Sequence, residues 1–94
     1  MSFDNDKAWS FDREAIESFN ADQTGVYAIY NARKWIYIGR GDIRQRLLDH
    51  LGGDIPSINT YTPTHFRAEV TGDSIKREQQ LLREYMPACN PRMG

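Results

Sequence analysis

Gly25-Val26-Tyr27-Ala28-Ile29-Tyr30, then Asn31-Ala32-Arg33-Lys34, then Trp35-Ile36-Tyr37-Ile38-Gly39 is the stretch that decides the fold. Two runs of aromatic and β-branched residues flank a mostly polar break, the pattern of a β-hairpin. Loop length sets which face each tyrosine takes. A four-residue loop at 31–34 places Tyr27 opposite Ile38 and sends Tyr27 and Tyr37 to opposite sides of the sheet. A three-residue loop at 31–33, or a bulge with the same effect, brings both phenols to one face. Taken alone, Tyr27, Tyr30 and Tyr37 are packing aromatics with no claim to chemistry.

Outward from the hairpin, the segment 12–20 (DREAIESFN) places acids in its first turn and Ile16 and Phe19 at helical spacing, which predicts a short amphipathic helix. After the hairpin, Asp42 is placed to cap a second helix, Gln45 three residues later completes a capping-box pattern, and the helix runs through LLDHL to Gly52-Gly53. HFRAEV (65–70) predicts a third strand, and a last helix begins near Asp73 or Ser74 and stops before Pro87. The order helix, hairpin, helix, strand, helix predicts an α+β fold: a small three-stranded antiparallel or mixed sheet flanked by helices. No repeat or linker divides residues 1–94, so one domain is expected. It consists of an acidic segment, 1–23, with a short helix, and a core, 24–92.

The net charge of −1 conceals an asymmetry: residues 1–22 carry six acids against two bases, and residues 23–94 carry ten bases against seven acids. The core can therefore present a weakly basic face, which permits a polyanionic partner without demonstrating one. No apolar run reaches the roughly 20 residues that span a bilayer, and MSFDNDKAW lacks the order of a secretory signal, so no membrane partner and a cytoplasmic location are expected. Cys89 has no second cysteine to pair with and reads as a small apolar filler.

On the last helix, Ile75, Leu81, Leu82, Tyr85 and Met86 define an apolar face, and Glu78 falls inside it. A carboxylate there is costly unless a cation or donors meet it. A metal and a structural Glu78–Arg46 pair answer that need equally well. On the second helix Arg46 and His50, four residues apart, share a face beside the apolar arc and can line a shallow cleft. For isolated residues of these types, a solvated arginine and a polar cover for the core edge are the ordinary roles. Arg44 lies within the arc and is a rival for Arg46. The GRGD at 39–42 matches neither the phosphate-binding loop nor the dinucleotide fingerprint, and Asp42 has a sufficient role as a cap.

Taken together, Gly25-Val26-Tyr27, Tyr37-Ile38-Gly39, an Arg and a His four apart on the next helix, and Glu78 resemble the GIY-YIG nuclease family. The closing stretch EQQLLREYMPACN (78–90) is similar to the family's last helix, with its metal-binding Glu and an Asn after Tyr-x-Pro. The resemblance covers about residues 24–92. The spacing from Gly39 to Arg46 is one residue shorter than in several members, so Arg46 is reached by counting back from His50.

The resemblance implies a metal-dependent endonuclease hydrolysing phosphodiester bonds. Tyr27 would act as general base or water-orienting group, with Tyr37 beside it. Arg46 would sit on the scissile phosphate, His50 would handle a proton, and Glu78 would hold one divalent cation, Mg²⁺ or Mn²⁺. Gly39 would leave room for backbone approach, Arg40 and Arg44 would meet phosphate, and Asn90 would brace the site. DNA is the expected partner more than RNA, and a homodimer or a targeting protein is expected to supply specificity. The rival class is a non-catalytic nucleic-acid-binding or interaction module that keeps the fold.

Overall fold

The structure, a computed structural model, describes residues 7–90. Its elements in chain order are β1 (Trp9–Ser10), α1 (Arg13–Glu17), β2 (Thr24–Tyr30), β3 (Trp35–Asp42), α2 (Ile43–Leu51), α3 (Pro56–Thr60), β4 (His65–Val70) and α4 (Ser74–Tyr85). The sheet has the order β1-β4-β2-β3 with every neighbouring pair antiparallel. The α+β class stands, with a fourth strand that the sequence does not announce. β1 is two residues long and is recruited by β4, to which Trp9 adds a ring stacked 5.6 Å from Phe66. Helix α3, one turn opened by Pro56, is likewise absent from the sequence expectation. The first helix is shorter than 12–20: Asp12 caps it through Ala15 N, and it ends at Ser18.

The hairpin takes the four-residue loop and adds a bulge. Tyr30 pairs with Trp35 across the four residues 31–34, where Asn31 Oδ1 accepts from Arg33 N (2.8 Å) and Lys34 N (3.1 Å) and thereby closes the turn. The register then shifts between Ile29 and Tyr30, so Ile29 faces Tyr37 and Tyr27 faces Gly39. Ile36 is the extra residue of this bulge, and the slip moves everything beyond it to the other face. Tyr27 and Tyr37 consequently share one side of the sheet, as diagonal neighbours instead of a direct pair.

Two apolar layers hold the sheet. On one face Tyr27, Ile29, Ile36, Phe66 and Ala68 pack against Ile16 of α1, Ile43 and Leu47 of α2 and Ile58 of α3. On the other, Val26, Ala28 and Ile38 pack against Leu81 of α4. The edge of β3 is closed by the chain after α4: Ala88 N and Cys89 N donate to Trp35 O and Ile36 O at 3.1 and 2.8 Å. Capping the edge this way removes unpaired strand groups that would otherwise recruit another chain.

Helix α4 corrects the sequence expectation at its apolar face. Ile75 and Met86 are mostly exposed, while Ser74, Arg77 and Leu81 are buried. The face turned to the sheet is therefore centred about Leu81, and Glu78 stands at its margin, partly buried, instead of at its middle. The buried charge of this helix is Arg77. Its Nε and Nη2 donate to Glu69 Oε2 and Oε1 of β4 at 2.8 and 3.1 Å, and Nη1 donates to Gln80 Oε1 at 3.2 Å.

Candidate active site

The cap of α2 aims the site. Asp42 Oδ1 accepts from Gln45 N (3.1 Å) and Oδ2 from Asp22 N (3.1 Å), locking the strand-to-helix turn. Gln45 does not complete a capping box, since its side chain donates to Asp49 Oδ1 further along the helix. With the turn fixed, Arg46 and His50 face the hairpin tyrosines. His50 is not a polar cover at the core edge: it is fully buried, with Nε2 2.6 Å from the Tyr27 hydroxyl and Nδ1 2.8 Å from Asp54 Oδ1. Tyr37 stands edge-on to the His50 ring at 5.0 Å and 6.4 Å from the Tyr27 ring.

Electrostatics in the cluster oppose one another. Burial, then the neighbouring Tyr37, pushes the Tyr27 phenol well above its ordinary value, while the charge and hydrogen bonding of Arg46 pull it back. Tyr37 is pushed up by burial and by Glu78, and lowered by Arg46. Burial pushes His50 below its ordinary 6.5 against the opposing pull of Asp54. The arginine whose charge acts on both phenols is thus Arg46. Arg44 is half-buried, with its Nε out of solvent and without a hydrogen-bond partner.

Gly39 is explained by close approach. A Cβ there would collide with the Tyr27 hydroxyl and ring, so any side chain would displace the phenol from His50. Arg40 lies opposite Val26, on the α4 side, and reaches Glu78 with its Nε 3.5 Å from Oε1. The cation facing Glu78 is therefore Arg40, not Arg46, and the pair is long and partly solvated. Burial pushes the Glu78 carboxyl up and Arg40 only partly offsets this. Asn90 accepts from Ile38 N (2.8 Å) and donates to Ile38 O (2.7 Å), so its amide pairs with the strand that carries Tyr37 and Gly39.

The donor chemistry can be tested for a divalent cation. Among the described residues no three His, Cys, Asp or Glu side chains converge, which excludes a closed cage built from these residues. Glu78 offers a desolvated carboxylate whose nearest cation stands at 3.5 Å. A hard cation that keeps several waters and takes one carboxylate fits this donor set.

The chain superimposes with a TM-score of 0.69 on the crystal structure of the GIY-YIG N-terminal endonuclease domain of UvrC from Thermotoga maritima, a tyrosine-to-phenylalanine mutant bound to its catalytic divalent cation. The match covers 84% of this chain and 98% of that domain at 24% identity. UvrABC system protein C of Colwellia psychrerythraea is 30% identical over 93 residues. The chain has the fold of the GIY-YIG endonuclease domain. The match takes in 89% of this chain but only 15% of the length of that relative. No protein-family model matches the chain.

Within this fold the structure brings Tyr27, Tyr37, Arg46 and His50 together and sets Arg40 with Glu78 on the α4 side of β3. Asn90 lies along the same strand, and Arg44 does not join the phenols. Sequence reading passes over Asp54, which has a faint signal: it follows His50 by four residues across Gly52-Gly53, where a helix ends and the chain can turn back.

Proposed function

We propose that the chain is a divalent-metal-dependent endonuclease that hydrolyses phosphodiester bonds in DNA. The observation that carries this reading is the buried Tyr27–His50 contact of 2.6 Å, with Arg46 beside it. A phenol held against a neutral imidazole and an arginine suits attack of water on a phosphate, where positioned charge supplies most of the stabilisation. Tyr27 is the base or water-orienting group, Tyr37 helps place the water, and His50 takes part in proton handling. Arg46 meets the scissile phosphate, and Arg40 and Arg44 serve its flanks. Gly39 admits the Tyr27 phenol, and Asn90 braces β3.

Glu78 would hold the cation, Mg²⁺ or Mn²⁺, which when bound supplies Lewis-acid stabilisation of charge on the phosphate. The UvrC domain bound to its catalytic divalent cation supports a divalent metal by analogy. Branched, damaged or invading DNA is the substrate class that suits a module without a sequence-reading helix, and a second copy or a targeting protein would direct it.

The Arg40–Glu78 contact favours one rival, a binding module in which an arginine satisfies Glu78 and no metal is needed. Incubating the purified chain with supercoiled, linear and branched DNA, with and without Mg²⁺, separates the two. Metal-dependent cleavage lost in a folded Glu78→Ala variant is the expected result. DNA left intact across all substrates and metals would overturn the nuclease reading.

A further inference from the structure

The three groups Tyr27, His50 and Asp54 form one continuous line from the buried centre of the sheet to the surface. Tyr27 is fully buried on β2, His50 is fully buried on α2, and Asp54 reaches His50 from the turn after α2 with its side chain 35% exposed. The turn is built to hold Asp54 there. Gly53 takes φ +90°, a left-handed conformation that suits glycine, with its N–H donating to His50 O at 3.0 Å. Asp54 N then donates to Asp49 O at 3.2 Å. Two backbone bonds to α2 thus fix the carboxylate against one ring nitrogen of one histidine.

The consequence is directional. A carboxylate accepts hydrogen bonds and cannot donate, so the 2.8 Å contact with Asp54 Oδ1 places the His50 proton on Nδ1. In the neutral ring Nε2 is then a bare acceptor, and the 2.6 Å contact with Tyr27 has the phenol as donor. Without Asp54 a proton could sit on Nε2, leaving Tyr27 to accept, and the phenol could no longer pass its proton inward. The other charged and titratable groups acting here are Arg46 and Asp49 of α2, Tyr27 of β2 and Tyr37 of β3. Burial disfavours a charged ring, and Asp54 is the largest of the influences that favour it.

We propose that Asp54 is a positioning residue that holds His50 as its Nδ1–H tautomer, so that Tyr27 can accept a proton from the attacking water only by passing its own to His50 Nε2. This rests on the nuclease reading above. In the step, the water oxygen bonds to phosphorus as the bond to the leaving oxygen breaks. The water proton moves to the Tyr27 oxygen, and the phenolic proton moves to Nε2. The leaving oxygen takes a proton from solvent. The imidazolium formed beside the Asp54 carboxylate returns its extra proton through Tyr27 to solvent. The net change is one water consumed per phosphodiester cleaved, with no oxidant or reductant.

Nitrogen-15 NMR of the histidine rings in the full chain, with His65→Gln to assign His50, tests the claim without depending on cleavage. The wild type at neutral pH is expected to show a protonated Nδ1 and a bare Nε2, and Asp54→Asn and Asp54→Ala to lose that preference. Cleavage of supercoiled plasmid with Mg²⁺ is expected to fall in kcat by about 10²–10⁴-fold in Asp54→Asn, by analogy with carboxylate–histidine pairs that fix a tautomer, with KM little changed. Asp54→Glu, which can restore the contact, is expected to recover part of the loss. A wild-type proton on Nε2, or Asp54→Ala with unchanged tautomer and kcat, overturns the proposal. So does a loss explained wholly by unfolding, with no recovery in Asp54→Glu. A wild-type chain that cleaves nothing sinks the nuclease reading, and the ring spectrum still decides whether Asp54 sets the His50 proton.

Discussion

The sheet carries two polar clusters of opposite design. On the α4 face Glu69 and Arg77 are both buried and meet through two parallel bonds at 2.8 and 3.1 Å, with Gln80 taking a further donor. Charge and hydrogen-bonding capacity cancel locally, as a pair retained for structure should. Around β3 and α2, Tyr27 and Tyr37 are pushed up, His50 is pushed down, and Glu78 stands 3.5 Å from a half-exposed arginine. Neighbouring groups with displaced ionisation, one of them a carboxylate met only by a long and partly solvated pair, form the pattern of a candidate site. The same chain therefore holds a close Glu–Arg pair and a loose one, and what separates them is contact geometry, not residue type.

The sharpest test of this contrast is Glu78→Gln beside Arg77→Ala. Removing the carboxylate that would hold the cation is expected to cost several kcal/mol of transition-state stabilisation, about 10³-fold or more in cleavage rate. Stability should not fall. Burial raises the folded-state pKa of Glu78, so its contribution to stability is present below the unfolded value of 4.5 and lost as pH rises through the folded value. The amide removes that cost at neutral pH, and the melting temperature is expected to hold or rise. Arg77→Ala leaves Glu69 buried and uncompensated and is expected to cost about 3–5 kcal/mol in urea unfolding. Comparable destabilisation by both variants would mean that Glu78 belongs to a second structural pair.

Arginine replacement refines the contrast within α2. Arg46→Ala is expected to lower kcat by about 10²–10³-fold, the usual effect of losing one positioned donor to developing charge. Arg44→Ala is expected to act mainly on KM for DNA and its salt dependence. Equal kcat losses in the two would show that both arginines reach the phosphate.

The smallest effect concerns pH. The folded pKa of His50 lies below its ordinary 6.5, so the unfolded chain takes up that proton first, and stability is lost as pH falls below about 6.5. Thermal unfolding followed from pH 8 to pH 5 should show this decline, and His50→Gln should flatten it. An unchanged slope in the variant would mean that His50 is not held neutral by its burial.

Much of the fold is legible in the chain because its cues are local. The aromatic and β-branched runs at 25–30 and 35–39 become β2 and β3, and Asp42 and Gly52 bound α2 as their chemistry requires. β1 and α3 escape because two residues and one turn carry too little periodicity, and only Phe66 and the core give them a place to dock. The apolar face of α4 is misjudged for a related reason. Ile75 and Met86 are apolar yet stand exposed, one in the first turn and the other at the C-cap.

The site shows the same division. The sequence by itself singles out Tyr27, Tyr37, Arg46, His50 and Glu78 as candidates, because motif order and spacing are properties of the chain. Tertiary structure alone decides that the phenols share a face. Ile36 and Ile38 are both apolar enough for either side, so the register is left to the bulge and to the residues that pack around it. It alone gives Glu69 to Arg77, Arg40 to Glu78 and Asp54 to His50, since the choice among acids and bases is settled by which side chains reach one another once the sheet is closed.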